Sequence, residues 1–382
     1  MNILNVNMSM DPVMGGGQAE RTFQMSRHLT RAGMKCTILT TDLGLSGERI
    51  EALKGTSIIA LSCLFERFYI PRFNIREIQN LIDENDIVHL MGHWTFINSL
   101  VYYLAARRKK PYVVCPAGAL PMYGRSKLLK TIYNWVAGRR AIQNADGHIA
   151  ITEDEIVQFQ EYGVPAERIS VIPNGIDQEN YLSCDSEDFR TRYGLGRHPL
   201  ILFVGRLNPI KGPDLLMQAF CHLKDRLQEY HLVFAGPDEG LLPTLKETIA
   251  AHHVEDRVHF TGYLGATDKS HAYHAADLLV IPSRQEAMSI VVLEAGITGT
   301  PVVMTDCCGF RDIEKIEGGV IVPASAEGIA AGLLNMVQDP AKIKGMGRNL
   351  RNYVEKNFIW DVIVHKYLDL YSQILKKYAS NP

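Results

Sequence analysis

Leu278-Leu-Val-Ile-Pro-Ser283-Arg-Gln-Glu286-Ala-Met-Ser-Ile-Val-Val-Leu-Glu294-Ala295 starts as an unbroken apolar run, stops at Pro282, and resumes as a second apolar run carrying a lone acid. The first run is strand-sized and apolar throughout, as a strand covered on both faces must be, and the second reads as a helix. Open α/β sheets bind their ligands at such carboxyl ends. Two carboxylates, Glu286 and Glu294, stand eight residues apart across this handover. Upstream, Leu200-Ile-Leu-Phe-Val204 is followed by Gly205-Arg206-Leu-Asn-Pro-Ile-Lys211-Gly212, which puts two cations at a second strand end. Cations suit a diphosphate and carboxylates suit hydroxyls. A nucleotide-sugar carries both groups.

Outward from that stretch the same grammar repeats. In the second half strands are expected over 200–204, 231–235, 258–261, 278–281 and 301–305, with a late one near Val320. Helices are expected from Pro213, over 242–252 and 270–275, and through Glu294. The first half reads as strands over 3–8, 35–40, 87–90, 112–115 and 148–151, with helices over 18–32, 95–107 and 127–143. Strand-helix alternation implies parallel sheets with crossover helices. Periodicity fails over 178–198, so we expect two doubly wound, Rossmann-like α/β domains. The first spans 1–185 and the second 186–359. The apolar stripe Val362, Val364, Tyr367, Leu370, Tyr371 and Leu375 must be buried somewhere, and a helix over 360–378 packing back on the first domain would bury it.

At 382 residues the chain exceeds what one core supports. A formal net charge of −2 with 21% charged residues argues against a general nucleic-acid binder. Seven scattered cysteines lack metal-ligand spacing, and no apolar run has the roughly 20 residues of a spanning helix. Met1-Asn-Ile-Leu-Asn-Val-Asn-Met8 shows no basic leader or cleavage site, so a cytoplasmic enzyme is expected. One segment departs from neutrality. Residues 87–145 contain no Asp or Glu but include Arg107, Arg108, Lys109, Lys110, Arg125, Lys127, Lys130, Arg139 and Arg140, interleaved with Tyr123, Tyr133 and Trp135. It reads either as a solvated face or, over 107–140, as a surface for an anionic membrane or acceptor.

Individual residues divide by position. Arg206 and Lys211, with Gly205 before them, flank a helix start where Gly212 could cap and Pro213 suits the first turn. Glu294, inside a helix, can accept from two vicinal ribose hydroxyls. Glu286 lies in the loop, where the N–H groups of Met288, Ser289 and Ile290 are expected to point outward and hold phosphate while the acid meets sugar hydroxyls. Gly15, Gly16 and Gly17 follow the first strand, where bare backbone can approach a ligand; a glycine run alone more often marks a turn. His93 follows the 87–90 strand and is a candidate for touching sugar or acceptor, whereas His89, inside that strand, reads as packing.

These residues resemble glycosyltransferase family 4, the retaining nucleotide-sugar transferases of group 1 with GT-B architecture. The likeness runs through Gly16-Gly17 with Glu20-Arg21, Val171-Ile-Pro-Asn-Gly-Ile-Asp177, Gly205-Arg-Leu with Lys211-Gly212, Ala235-Gly-Pro-Asp-Glu-Gly240, Phe260-Thr-Gly262, Ala276-Asp277, Pro282-Ser283, and Glu286 through Glu294. The resemblance implies two Rossmann-like domains facing a central cleft, with a C-terminal helix crossing back. It implies that Arg206 and Lys211 neutralise the donor diphosphate, that Glu294 binds ribose, that Glu286 contacts the transferred sugar, and that Gly16 and Gly17 lie near phosphates and sugar. The donor would be a UDP- or GDP-sugar, with no other cofactor and no essential metal.

The acceptor would be a glycan or lipid-linked precursor of a cell-surface polysaccharide or lipopolysaccharide, reached from the inner face of the cytoplasmic membrane. The chain departs from the family at Met288 and Ser289, where an aromatic and a glycine are usual, at Ala295-Gly296-Ile297, where Ala-Met-Ala is usual, and at Ala117. Other readings are a related-fold nucleotide-sugar epimerase and a catalytically silent binding subunit of a glycan-assembly complex.

Overall fold

The computed structural model describes residues 1–12, 15–122 and 127–380, with the side chain of residue 340 left aside. Tyr123 and Arg125 of the basic segment lie outside the described residues. The chain forms two compact units, one of Met1–Gly175 with Trp360–Pro382 and one of Ile176–Ile359.

The first unit holds strands β1 (Asn2–Val6), β2 (Lys35–Thr41), β3 (Ser57–Leu61), β4 (Cys63–Phe65), β5 (Ile70–Pro71), β6 (Ile87–Met91), β7 (Tyr112–Cys115), β8 (Gly147–Ala150) and β9 (Ile169–Val171). Its helices are α1 (Gly16–Arg31), α2 (Gly47–Ala52), α3 (Ile75–Glu84), α4 (Phe96–Arg107), α5 (Lys127–Tyr133), α6 (Arg139–Gln143) and α7 (Asp154–Glu161). Seven strands pair in the order β3-β2-β1-β6-β7-β8-β9, parallel throughout, and β4-β5 is a separate antiparallel pair. Strands β6 and β7 are buried at every residue, which is why they read as continuous apolar runs. The stretch 127–143, expected as one helix, is α5 and α6 joined by a wide π turn over Asn134–Gly138. Residues 42–86, which carried no assignment, hold β3, the β4-β5 pair, α2 and α3. Only one residue of the edge strand β3 is buried, so its apolar signal is short.

In the second unit, α8 (Ser186–Arg192) precedes β10 (Leu200–Val204), α9 (Pro213–His222), β11 (His231–Ala235), α10 (Leu242–His252), β12 (Val258–Gly262) and α11 (Ala266–Ala275). There follow β13 (Leu278–Ile281), α12 (Ile290–Thr298), β14 (Val302–Thr305), α13 (Asp312–Lys315), β15 (Gly319–Val322), α14 (Ala326–Val337) and α15 (Pro340–Asn357). The parallel order β12-β11-β10-β13-β14-β15 reverses direction between β10 and β13. That reversal is where a doubly wound sheet opens a crevice for ligand.

The division falls at Gly175, ten residues before the expected 185, and tertiary contacts explain the difference. Residues 176–192 are fastened to α11: His274 Nε2 donates to Tyr181 O at 3.0 Å, Arg190 Nη2 to Ala275 O at 2.6 Å, and Ser183 Oγ meets His271 Nε2 at 2.8 Å. The chain returns to the first unit through α16 (Trp360–Ser380), which buries three of the six stripe residues, Val364, Tyr367 and Tyr371, together with Trp360, Ile363 and Ile374, while Val362, Leu370 and Leu375 are half-buried beside that face. Trp360 stacks on His28 of α1 at 5.6 Å, and Tyr371 OH meets His89 Nδ1 at 2.6 Å. His89 therefore packs inside the first unit. Arg21, fully buried in α1, donates from Nη1 to Asn174 Oδ1 at 2.7 Å and from Nη2 to Ile172 O at 2.6 Å, tying α1 to the loop after β9.

Candidate functional site

The loops after β10 and β13 meet at the switch point of the second sheet. Gly212 makes that approach feasible: it caps α9 with φ +68°, and a Cβ there would lie 2.0 Å from Pro282 O. Pro213 takes the first helical position, as expected. Across the junction Lys211 Nζ contacts Glu286 Oε1 at 2.9 Å, and Ser283 Oγ donates to the same oxygen at 2.7 Å. The carboxylate is 10% exposed and the ammonium 25%, so the pair sits at the sheet's rim with one side open to solvent.

The Glu286 loop is clamped from its far side. Glu286 N donates to Cys307 O at 2.9 Å and Ser289 N to Cys308 O at 3.2 Å, while Gly309, at φ +63°, passes so close that a Cβ would lie 1.8 Å from Ala287 O. The Ser289 N–H is thereby engaged inside the fold. It is not the outward donor the sequence suggested, because the loop after β14 pairs with it. Ser289 is fully buried as the N-cap of α12, and its Oγ has no hydrogen-bond partner among the described residues; Met288 is buried beside it. Ile290 opens α12.

The second departure has a packing cause. A Cβ on Gly296 would stand 2.5 Å from Val354 Cγ2 of α15, so a larger residue there would push the two helices apart. Ala117, at φ +51°, is a left-handed non-glycine, and the N–H of the following Gly118 donates to the buried Glu155 carboxylate.

Glu294 lies in the second turn of α12 and is buried. Lys269 Nζ meets its Oε1 at 2.6 Å, and Tyr273 OH donates to its Oε2 at 2.6 Å. Burial, with the Glu294 charge acting in the same direction, pushes the Tyr273 phenol well above its usual range, so it remains a donor. Arg206 follows Gly205 and turns toward the loop after β11: Nη1 donates to Glu239 Oε1 at 3.0 Å and Oε2 at 3.3 Å. Burial alone would raise the Glu239 carboxyl, but the Asn208 amide, which donates at 2.7 Å, and the Arg206 guanidinium together hold it below the ordinary carboxylate range. Asn208 also accepts from Lys211 N at 3.0 Å, which sets the curve of the cationic loop.

The four charged residues singled out in this unit are thus brought to one edge of one sheet, but each has a partner that sequence reasoning missed or assigned elsewhere. Glu239, Lys269, Tyr273 and Asn208 were all overlooked. Lys269 and Tyr273 stand four apart on α11, a spacing that puts both on one helix face, and Glu239 lies in the loop four residues past the end of β11. Those were the available signals. Such an edge, with an arginine, a lysine and a helix-borne carboxylate, has the donors for a diphosphate and the acceptors for a diol. Among the described residues no three His, Cys, Asp or Glu side chains converge as metal ligands.

The remaining candidates belong to the first unit, at the switch point between β1 and β6. Gly16 and Gly17 open α1, and no described atom lies within 4 Å of a Cβ added to Gly16. His93, after β6, is buried: its Nε2 donates to Asn134 Oδ1 at 3.0 Å and its ring meets Trp94, Tyr133 and Tyr162 edge-on. Burial pushes its pKa down to about 4, which makes it a neutral member of an aromatic cluster near pH 7.

Comparison with known proteins bears on the whole arrangement. D-inositol 3-phosphate glycosyltransferase of Gordonia bronchialis is 31% identical over 260 residues, covering 65% of this chain and 57% of the relative, so the match spans little more than half of that protein. Among solved structures, HepE of Anabaena in complex with UDP and glucose is similar with a TM-score of 0.78 at 20% identity, covering 100% of each chain. WaaG, a glycosyltransferase involved in lipopolysaccharide biosynthesis, gives 0.68 at 21% identity over 94% of this chain and 97% of its own. At those identities the likeness speaks for the fold. The family profile described as Glycosyltransferase Family 4 matches residues 15–180 and that described as Glycosyl transferases group 1 matches 185–356, and on both halves together this chain belongs to the group 1, family 4 glycosyltransferases of GT-B fold.

Proposed function

We propose that this protein transfers a hexose from a nucleoside diphosphate sugar, UDP- or GDP-linked, to a glycan or lipid-linked acceptor, with retention at the anomeric carbon and without an essential metal. The observation that carries the reading is the Lys211–Glu286 pair, set across the switch point of the second sheet on the same edge as Arg206 and Glu294. Arg206 and Lys211 take the diphosphate, Glu294 the ribose hydroxyls and Glu286 the sugar; Gly205, Met288, Ser289 and Ile290 shape the loops around them. Among the first unit's residues, Gly16 and Gly17 are assigned to the donor's phosphates and sugar, and His93 to the sugar or acceptor.

In the step itself the bond from the sugar's anomeric carbon to the diphosphate oxygen breaks, and its electrons remain on the leaving group. The acceptor hydroxyl bonds to that carbon from the face just vacated, and its proton passes to a diphosphate oxygen. Charge grows on the phosphate as the bond lengthens, so fixed cations lower the barrier more than any protein base would. The lipopolysaccharide role of WaaG supports a cell-surface acceptor reached at the inner membrane face, and the basic segment suits an anionic one. A second reading, favoured by the name of the Gordonia relative, is a phosphorylated cyclic polyol acceptor.

The test is release of nucleoside diphosphate and transfer, with chelator present, across a panel of UDP- and GDP-hexoses offered to lipid-linked glycans and to inositol phosphate. Retained anomeric configuration and a loss of about 100-fold or more in Arg206→Ala and Lys211→Ala are expected. Full activity in both variants would overturn the assignment. An epimerised donor, or binding without turnover on every donor, would point instead to the epimerase or the silent subunit.

A further inference from the structure

The basic segment does not act as one surface. Arg107 lies over the Tyr103 ring at 4.5 Å, Arg108 Nε contacts Asp83 Oδ1 at 3.0 Å, and Lys110 Nζ donates to Asn85 O at 2.7 Å, so this end is held by the protein's own groups. The stretch 127–140 is different. Gly138, Ala141 and Ile142 are buried in the first unit, while Leu128 is 73% exposed, Leu129 55%, Ile132 48%, Trp135 83% and Val136 59%. Leu128, Ile132, Trp135 and Val136 recur at helical spacing, so a whole apolar face is turned to solvent. Lys127 and Arg140 are exposed along the same stretch, Arg139 donates to Glu161 O at 3.1 Å, and no acid occurs anywhere from 87 to 145.

We propose that the face formed by Leu128, Leu129, Ile132, Trp135 and Val136 is an in-plane membrane anchor that seats on an anionic phospholipid bilayer. Aliphatic side chains enter the acyl boundary, Trp135 sits at headgroup depth, and the basic side chains reach back to lipid phosphates. Charge decides the occupant: a second copy laid on the same face would bring cations against cations, whereas anionic headgroups complement them. No helix among the described residues is long and apolar enough to cross a membrane, so the contact is a seat on one leaflet. This inference deepens the reading in which the acceptor is lipid-linked, because it would bring the protein to the surface that holds such an acceptor.

The full chain is incubated, without donor or acceptor, with vesicles of phosphatidylcholine alone and of equimolar phosphatidylcholine and phosphatidylglycerol. Binding only to the anionic vesicles is expected, weakening with salt and accompanied by a blue shift of tryptophan emission. Lys127→Ala with Arg140→Ala should lower partitioning about tenfold or more, at about 1 kcal/mol for each basic residue. Leu128→Ser with Trp135→Ser should abolish it while leaving the melting temperature and donor hydrolysis in solution unchanged. Equal binding to both vesicle types, no binding, or unimpaired binding by the Leu128→Ser/Trp135→Ser variant would overturn the proposal. A concentration-dependent dimer in sedimentation that this variant loses would assign the face to a second copy instead. Failure here leaves transfer to soluble acceptors untouched, so the two readings fall separately.

Discussion

Lys211 and Glu286, which the sequence set on different loops for different tasks, are ion-paired at 2.9 Å across the junction of β10 and β13. Glu286 therefore holds the ammonium in place, and each side chain depends on the other for its position.

That dependence is measurable as a double-mutant cycle on nucleoside diphosphate affinity by titration calorimetry. Lys211→Ala, Glu286→Gln and the double variant should show a coupling of about 1–3 kcal/mol, as residues in direct contact do. A coupling between 211 and 286 indistinguishable from zero would show that the pair does not act as a unit.

Tyr273 and Lys269 each hold one oxygen of Glu294. They fix the carboxylate's orientation, and under the proposed function that orientation serves the ribose. Tyr273→Phe and Lys269→Met should each raise the donor KM about 5- to 30-fold with little change in kcat, the cost of about 1–2 kcal/mol for a lost bond to a charged group. The deciding readout is a donor lacking the ribose 2′-hydroxyl: the native protein should discriminate against it, and both variants should discriminate less. Equal discrimination in native and variant proteins would reduce the two residues to packing.

Three buried histidines of the first unit set an acid limit on stability. Burial pushes His89 to about 3, with the charge of Arg21 acting in the same direction, and burial pushes His93 and His148 to about 4. Above the ordinary value near 6.5 all three are neutral folded and unfolded, so they leave stability unchanged. As pH falls below about 6.5 the unfolded chain takes up protons that the folded unit refuses, and stability declines progressively until about 4 for His93 and His148 and about 3 for His89. Calorimetric melting at pH 7.5 and at pH 5 should show a lower Tm for the first unit at the acid point. His148→Gln, which keeps a donor for Ile142 O, should shrink that difference. A Tm that rises on acidification would contradict the sign.

The strands and helices that build the second sheet were legible because parallel strands covered on both faces read as unbroken apolar runs. The expected ranges 200–204, 231–235 and 278–281 coincide with β10, β11 and β13. The elements over 42–86 were not, since a half-exposed edge strand and a two-stranded ribbon bury too little apolar surface to leave a pattern. Site partners fared similarly: Arg206 and Lys211 follow a visible strand, whereas Glu239 is 33 residues from Arg206 and reaches it only because β11 is the neighbour of β10.

By itself the sequence determined the two doubly wound sheets, the strand ends at which the cations and acids stand, and the lack of acid through 87–145, because hydrophobic period and loop chemistry are local properties. Tertiary structure alone decided which carboxylate each cation meets, that the Ser289 N–H faces inward to Cys308 O, that 176–192 belong with α11, and that the apolar face of 127–140 is turned outward. Those outcomes depend on strand order and on which helix face is already covered, and neither is written in any local stretch of chain.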